Sequence, residues 1–419
     1  MRERRPGVGG GARADETAVT DGLLIPGGPG WSVFAWTLFL AGFATFALLF
    51  APQAFLSAQL AVDADSASMT VSSTALGVAA GVLGWAAVSN RTGHLRAIRL
   101  SLLVALLVAV VVPLLPDLQS VIAVRFVEGL ALGAAPAVGM AAIAERVDGR
   151  WVAHVAGTFV AGNTLGGIVG RLASGAVADV GGWRLAFWVS AGTAAVAIGA
   201  LLVLSRRLPD RRAVPARHSA ARAVGENLRD PVMLALYLQG FLLMGAFGAV
   251  YNFFGYRVQE PPFGLPAWIA GGLFLVYLTG SVAAQRSGAL ARRIGTARAM
   301  VAGIAAMLVS LPMMASDSLA AMVAGLVLFT IGCFTAHPLA SGLSGRSARI
   351  GRPQSAALYQ IAWLGGTSLC GWAGGLAYAA AGWATTLGLV AILCAVAAVA
   401  AVLGGTVLAR ARPDAVPEG

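Results

Sequence analysis

A charged pair stands inside one of the apolar stretches of this chain. Arg125 and Glu128 belong to the run RFVEGLALGAAPAVG, and their spacing of three places them on one face of a helix, where they can pair. Glu128 is the only acid that we place inside any apolar stretch. A buried acid beside an arginine suits the uptake and release of a proton, and the alternative is a permanent ion pair that only fixes helix packing.

His337 is a second candidate for proton transfer. It is the only histidine that we place within an apolar stretch away from a helix start, and its imidazole titrates in a range that suits this role. A packing histidine held by a hydrogen bond is the alternative. The residues predicted to serve proton coupling are Glu128, Arg125 and His337.

Polar and aromatic side chains in several apolar stretches predict a binding cavity. Asn163 and Arg171 lie near the middle of one stretch, where polar groups are expected to face a cavity rather than lipid. Aromatic rings could line a pocket for amphipathic or cationic compounds, although packing at the lipid interface is the default for most of them. The predicted cavity residues are Asn163, Arg171, Phe39, Phe43, Tyr251, Asn252, Tyr359 and Trp363.

The motifs of several other kinds of chemistry are missing from the sequence. There is no GxxxxGK[ST] phosphate loop and no HExxH or GxSxG motif, which argues against ATP-driven transport and hydrolysis. Cys333, Cys370 and Cys394 lack CxxC spacing and are expected to be small buried hydrophobes. We expect no enzyme activity, no cofactor and no metal, and an ion or substrate gradient as the source of energy.

The elements that hold these residues are predicted to be membrane-spanning helices. Hydrophobic residues make up 58% of the 419 residues, charged residues only 11%, and the mean hydropathy is +0.79. A soluble domain carries roughly 25% charged residues, and a span needs roughly 20 apolar ones. Twelve spans are predicted, at 32–52, 70–89, 97–116, 119–142, 153–177, 184–204, 232–255, 266–285, 298–315, 319–343, 355–378 and 384–408.

The basic residues predict how the spans are oriented. The net charge is +11, and positive residues collect in cytoplasmic loops. With both termini inside the cell, only Arg184 and Arg257 fall on the other side, while Arg125 and Arg171 lie within spans. The positive charge therefore indicates topology in a cytoplasmic membrane rather than a nucleic-acid partner.

The halves of the chain repeat each other. Gly182-Trp183 matches Gly382-Trp383 at an offset of about 200 residues, and the loop NRTGHLR matches RRIGTAR. Two parallel six-helix halves are implied, an arrangement that places a substrate site between them. The predicted organisation is a disordered cytoplasmic tail at 1–31, six-helix bundles at 32–204 and 232–409, a cytoplasmic linker at 205–231 and a tail at 410–419.

Three motifs carry a family resemblance over nearly all of 32–410. The loop after the second span keeps part of a superfamily pattern, although Asn90 replaces an acid, and its second copy has Arg292 at that position. Span four resembles an R-x-x-Q-G-x-G motif, with Glu128 at the Gln position, and GNTLGGIVGRLASG in span five resembles an antiporter motif. The chain looks like the drug:proton antiporter branch of the major facilitator superfamily, closest to its arabinose-efflux-permease-like and acriflavine-sensitivity group.

The resemblance assigns roles to two further sets of residues. In the family the loop latches the cytoplasmic side through a carboxylate, so the neutral Asn90 is expected to weaken the latch. The gating-loop residues are Asn90, Arg91, Gly93, Arg292, Arg293 and Gly295. Small residues let membrane helices approach closely. The packing glycines are Gly129, Gly133, Gly162, Gly166, Gly170 and Gly175.

Together these features predict an all-α membrane protein that exports small amphipathic compounds or drugs in exchange for protons. The two halves are expected to rock about a central cavity, and the protein to act as a monomer. A sugar or metabolite permease of the same fold, working in either direction, is the alternative. A non-transporting membrane sensor or scaffold is disfavoured because the sequence predicts no sizeable soluble domain.

Overall fold

The structure is a computed structural model that describes residues 23–55, 64–209 and 219–411. Within these ranges the chain is built from helices. The first half contains α1 (Trp31–Phe50), α2 (Ala64–Thr92), α3 (His94–Val111), α4 (Leu118–Leu132), α5 (Ala134–Arg146) and α6 (Val152–Ser205). A short helix, α7 (Ala220–Arg229), follows in the linker.

The second half repeats this arrangement. It contains α8 (Pro231–Gln259), α9 (Ala267–Gly272), α10 (Tyr277–Ile294), α11 (Thr296–Met314), α12 (Leu319–Ser347), α13 (Arg352–Ala381) and α14 (Trp383–Ala411). A 3-10 turn at Leu273–Val276 joins α9 to α10, so these two helices make a single crossing. In the same way α4 and α5 are successive parts of one crossing, Leu118–Arg146.

The described residues form twelve crossings, as the sequence predicts. Ten helical segments of the described chain are long and apolar enough to span a membrane. One of them, His154–Ser205, contains two crossings, because Gly182 (φ 72°, ψ 178°) interrupts α6. The remaining crossing is α13, which is less apolar because it buries polar side chains such as Ser355 and Thr367 inside the bundle.

The connections divide between two ends of the bundle, for which we use fixed names. The linker end carries the turns at 92–94, 147–151, 294–296 and 347–352, together with the described parts of the linker at 205–209 and 219–231. The far end carries the turns at 51–55, 112–117, 260–266, 315–318 and the breaks at Gly182 and Gly382. Hydrogen bonds tie neighbouring turns together at each end, as between Arg146 Nη1 and the Pro209 carbonyl (2.8 Å) and between Arg257 and Asp317 (2.5 Å).

Several predicted boundaries differ from the structure. The last part of the predicted N-terminal tail is ordered, because Leu24 pairs with the backbone of Arg146 and Asp148. The predicted tail up to residue 22 lies outside the described residues, as do 210–218 of the linker and the chain after 411. The linker also contains helix α7, whose N-terminus is capped by the Ser219 side chain.

The repeat is visible in the backbone as well as in the sequence. Gly93 (φ 93°, ψ 153°) separates α2 from α3, and Gly295 (φ 87°, ψ 147°) separates α10 from α11 in the same conformation. Only glycine adopts this region readily. The predicted gating loops are therefore single-residue breaks between helices, because one glycine suffices to reverse the chain direction at each site.

The predicted packing glycines lie where helices touch through their backbones. A Cβ added at Gly162 or Gly166 of α6 would overlap the backbone of α1 at Phe39 or Phe43, and one at Gly170 would lie 2.7 Å from the Ala47 carbonyl oxygen. Gly129 and Gly133 of the α4–α5 crossing pack in the same way against α2, and Gly175 is buried. Small residues thus allow these helices of the first half to approach closely.

Candidate functional site

The Arg125–Glu128 pair is buried inside the first half. Arg125 Nη1 donates to Glu128 Oε2 at 2.8 Å, and both residues are 1% exposed. The remaining donors of Arg125 reach backbone carbonyls at Leu48 (3.1 Å), Leu49 (2.9 Å) and Thr70 (3.2 Å). The arginine therefore joins α4 to α1 and α2, while the pair keeps its charge balanced in a water-poor interior.

One oxygen of Glu128 has no hydrogen-bond partner in the described part of the chain. Its Oε1 is fully buried and accepts no hydrogen bond from the described residues, whereas Oε2 holds Arg125. A buried carboxylate normally satisfies both oxygens, because each unpaired polar atom costs about 1–3 kcal/mol. A proton can bind at Oε1 while Oε2 still accepts the hydrogen bond from Arg125, and the carboxyl then loses the negative charge that balances the arginine.

A hydrogen-bonded chain joins the two halves at the far end. Arg171 of α6 donates from Nε (2.9 Å) and Nη2 (2.5 Å) to Gln53 Oε1, and Gln53 Nε2 donates to Asn252 Oδ1 of α8 (2.5 Å). Arg171 Nη2 also reaches the hydroxyl of Tyr277 on α10 at 3.3 Å. These four side chains lie on the inner surfaces of the bundle, so the hydrogen bonds between them connect the two halves where the halves meet. We call this network the far-end bridge.

Aromatic rings enclose the Arg171 guanidinium. Its carbon lies 4.8 Å from the ring centre of Phe50, 4.4 Å from Phe274 and 4.8 Å from Tyr277. Phe50 belongs to the first half, and the other two rings to the second. Cation–π contacts of this kind stabilise a buried guanidinium.

Further contacts close the far end between α2 and α13. Ser368 Oγ donates to the Ser72 carbonyl at 2.6 Å. A Cβ added at Gly371 would lie 3.2 Å from Ser72 Oγ and 2.8 Å from Asn252 Nδ2. The cross-half contacts at Ser72, Arg171 and Asn252 all lie toward the far end, so the two halves are closed against each other there.

Tyr251 and Asn252 do not line an open cavity in this conformation, contrary to the prediction. Tyr251 is 2% exposed, shares a hydrogen bond with Thr330 (2.6 Å) and packs on Phe247. Asn252 is 2% exposed and is engaged by Gln53. The closed far end buries both side chains, which the sequence could not indicate because it does not specify the conformation.

His337, Tyr359 and Trp363 form a cluster in the second half. The Tyr359 hydroxyl lies 2.9 Å from His337 Nδ1 and 3.1 Å from the His337 carbonyl oxygen, and Trp363 meets the imidazole at 6.3 Å between ring centres. The histidine is half-buried, so the structure agrees with a hydrogen-bonded histidine at the contact between α12 and α13.

Asn163, Phe39 and Phe43 lie together in the first half. Phe39 and Phe43 stack on each other at 6.3 Å, and all three residues are half-buried. Asn163 Oδ1 has no described partner and lies close to Gly42 of α1, where no Cβ could be accommodated. The predicted cavity residues thus fall into a first-half group, a far-end bridge and a second-half cluster.

The predicted gating residues lie at the linker end. Asn90, Arg91, Arg292 and Arg293 are exposed on the last turns of α2 and α10. In the first half, the side-chain contacts next to the turn at 92–94 are made by the buried His94. Its Nδ1 lies 3.0 Å from Ser89 Oγ, and its Nε2 lies 3.1 Å from Glu145.

Sequence reasoning missed several residues of the site. Gln53 and Tyr277 complete the far-end bridge, and His94 and Glu145 the linker-end contact. Gln53 offered a signal, since it is a polar residue that closes the first apolar stretch. Among the described residues, no group of three or more His, Cys, Asp and Glu side chains could hold a metal ion.

Comparison with known proteins gives a consistent result. Residues 34–351 match the family model described as Major Facilitator Superfamily. The inner membrane transport protein YnfM of Escherichia coli is 30% identical over 367 residues, covering 86% of this chain and 87% of that protein. The MFS-type transporter YybF of Bacillus subtilis is 27% identical, covering 88% and 93%.

A solved structure shares the fold. The nucleoside transporter NupG superposes with a TM-score of 0.65 at 13% identity, covering 89% of this chain and 98% of that one. The superposed helices, the repeat of the two halves and the family match over 34–351 all indicate the same fold. The chain is a multi-pass membrane transporter, and it belongs to the Major Facilitator Superfamily.

Proposed function

We propose that the protein is a proton-coupled exporter of small amphipathic compounds that works by alternating access. The sequence motifs favour the drug:proton antiporter branch, and within it the arabinose-efflux-like group. The proposed site for the proton is Glu128, and the proposed substrate cavity lies between the halves. Both termini are proposed to face the cytoplasm, with the protein acting as a monomer in the cytoplasmic membrane.

The observation that carries this proposal is the state of Glu128. A carboxylate that is 1% exposed, paired through one oxygen and free at the other can gain or lose a proton while Arg125 stays in place. A purely structural pair would be expected to use both oxygens. Acids inside membrane helices are costly, which favours a functional role for this one.

The far-end contacts supply the second part of the mechanism. Because the bridge from Arg171 through Gln53 to Asn252 crosses between the halves, it has to break when the far end opens. Leu48 and Leu49, whose carbonyls bind Arg125, lie on α1 next to Gln53. Movement of this part of α1 would therefore alter the surroundings of Arg125 and Glu128, which links protonation to opening.

His337 and the linker-end turns have supporting roles in the proposal. The hydroxyl of Tyr359 on α13 contacts His337 on α12, so protonation of the imidazole can alter the contact between these two helices of the second half. The exposed Asn90, Arg91 and Arg292 are proposed to close the linker end when the far end opens.

A metabolite permease is the alternative function. The far-end bridge offers amide and hydroxyl groups that could bind hydroxylated compounds, and NupG, which shares the fold, is a nucleoside transporter. The two candidates differ in their dependence on a pH gradient. A permease that carries sugars or nucleosides down their own gradients would not need Glu128.

The test is transport into inside-out membrane vesicles with an imposed acidic interior. Amphipathic dyes, antibiotics, aromatic carboxylates, pentoses and nucleosides are screened for uptake that requires the gradient. We expect gradient-driven uptake of an amphipathic compound, and we expect Glu128→Gln to abolish accumulation while leaving exchange of labelled for unlabelled compound intact.

The matched control is Glu260→Gln. Glu260 is an exposed far-end acid that accepts a hydrogen bond from Tyr378 at 2.6 Å and lies outside the proposed coupling site. This variant should accumulate substrate normally. Wild-type accumulation by the Glu128→Gln variant would show that another group carries the proton.

A further inference from the structure

The two arginines buried in the first half differ in how their charge is balanced. Arg125 is paired with Glu128, whereas Arg171, also 1% exposed, has no carboxylate within ion-pair distance among the described residues. The acceptors around Arg171 are the Gln53 amide oxygen, the Gly167 carbonyl (2.9 Å) and the Tyr277 hydroxyl, which are all neutral. The far-end bridge therefore carries an uncompensated positive charge.

The bridge also has hydrogen-bond donors in excess. One N–H of Arg171 Nη1 remains after the bond to Gly167, because a guanidinium carries five donors. At the other end of the bridge, Asn252 Nδ2 is buried without a partner among the described residues, and Asn252 is 2% exposed. Surplus donors at both ends of a cationic network are what an anionic acceptor would satisfy.

The geometry at Gln53 shows where such an acceptor would bind. Arg171 Nε and Nη2 both point at one oxygen of Gln53, and this is the edge of the guanidinium that binds carboxylates through two parallel bonds. The neutral amide oxygen of Gln53 occupies the position where a carboxylate oxygen of a ligand would bind. Gln53 is also tied to Asn252, so opening of the far end would remove the contact that holds it in place.

The surrounding residues indicate the rest of the ligand. Phe50, Phe274 and Tyr277 place three rings around the guanidinium, so a bound anion would lie against aromatic surface. Phe274 and Tyr277 belong to the second half, so they would lie against the anion while the far end is closed, whereas Phe50 belongs to the same half as Arg171. On α6, Arg171 follows Asn163 and Gly167 at intervals of four residues, which places the three on one helix face running toward the linker end.

We propose that Arg171 is the anion-recognising residue of the substrate site, and that the transported compound is a carboxylate on an apolar, ring-bearing or aliphatic body. This inference rests on the proposed export function and narrows its substrate class. It narrows the expectation of amphipathic or cationic compounds, because a cation would be repelled by a guanidinium that has no carboxylate partner among the described residues.

Binding of matched compounds to the purified full-length protein tests the proposal. The probes are 4-phenylbutyrate, its neutral amide and the corresponding amine, with longer and shorter carboxylates to cover size, measured by titration calorimetry. We expect a carboxylate to bind about 10- to 100-fold more tightly than its amide, as a charge-assisted pair predicts, and the amine to bind most weakly. Inorganic phosphate and sulfate should compete poorly.

Three variants separate the anion site from general effects of charge. Arg171→Gln should remove the preference for the carboxylate, and Arg171→Lys should retain part of it because the charge stays while the paired donors are lost. Arg184→Gln is the matched control, since Arg184 is an exposed far-end arginine outside the bridge, and it should bind as the wild type does.

Four results with the wild-type protein would overturn the proposal: equal binding of amide and carboxylate, tighter binding of the amine than of the carboxylate, binding of inorganic anions as tight as that of the carboxylate, or no binding of any carboxylate at millimolar concentration. Because these measurements use the wild-type protein, they decide the question even where a variant fails to fold. Retained preference in Arg171→Gln would also overturn the proposal. Binding needs no gradient, so carboxylate transport without proton movement would refute the coupling at Glu128 and leave the anion site standing.

Discussion

Replacing Gly166 by alanine tests the packing on which the first half depends. Gly166 lies where α6 crosses α1, and an added Cβ would overlap the carbonyl oxygen of Phe43 and lie 2.5 Å from its Cα. Non-bonded carbon atoms prefer roughly 3.5–4.0 Å. The obstacle is backbone rather than a movable side chain, so the helices would have to separate by about 1 Å.

The size of the effect follows from this overlap. Overpacking typically costs about 1–3 kcal/mol, whereas alanine gains up to about 1 kcal/mol over glycine in a helix. Gly192→Ala isolates the second contribution, because Gly192 is an exposed residue of the same helix with nothing within 4 Å of its added Cβ. An unfolding entropy of about 2.1 cal/mol/K per residue corresponds to roughly 1 °C per kcal/mol for a chain of this length, so we expect Gly166→Ala to unfold about 1–3 °C below Gly192→Ala.

The assay uses the buried thiols of the protein. Cys333, Cys370 and Cys394 are buried, so a thiol-reactive dye reports their exposure as the protein unfolds with temperature. Gly366→Ala provides a replicate in the second half, since its Cβ would overlap the carbonyl oxygen of Phe241. Equal Tm values for Gly166→Ala and Gly192→Ala would refute the close approach of α1 and α6.

Three further changes have expected outcomes in the same thermal assay. Arg125→Leu leaves the buried Glu128 without its partner and should lower the free energy of unfolding by about 3–5 kcal/mol. Adding Glu128→Leu should restore part of this loss. A double variant that is no more stable than Arg125→Leu would argue against the ion pair. Gly295→Ala forces alanine to φ 87° and should cost about 1–3 kcal/mol, so an unchanged Tm would contradict that backbone conformation. Tyr359→Phe loses the hydrogen bond to His337 and should lower the free energy of unfolding by about 0.5–1.5 kcal/mol. An unchanged Tm would contradict this hydrogen bond.

Hydropathy and repeated glycines were sufficient to predict the architecture. Every predicted span corresponds to a helix, because the lipid environment demands long apolar segments whose backbone is satisfied internally. The matched pairs Gly93 and Gly295, and Gly182 and Gly382, indicated turns that the structure places at equivalent points of the two halves. The boundaries differed most where helices extend beyond the apolar segment, as α5 does in reaching Glu145.

The arrangement of the site could be predicted only in part. The pairing of Arg125 with Glu128 followed from helical spacing alone, and the structure confirms it. The partner of Arg171 could not be predicted, since Gln53 lies 118 positions away and meets it only through tertiary packing. The burial of Tyr251 and Asn252 depends on which end of the transporter is closed, and a sequence specifies both conformations.

The far-end contact between α2 and α13 also provides the most direct test of alternating access. A Cβ at position 371 would lie 3.2 Å from Ser72 Oγ, a spacing that suits a disulfide between Ser72→Cys and Gly371→Cys. The variants Ser72→Cys and Gly371→Cys, each with one introduced cysteine beside the three native ones and oxidised in the same way, control for the substitutions themselves.

The decisive measurement is gradient-driven transport by this double variant before oxidation, after oxidation and after reduction. If the halves must part at the far end in every cycle, oxidation will abolish transport and reduction will restore it, while both single variants remain active. Transport at the unoxidised rate with the disulfide fully formed would contradict alternating access through this contact.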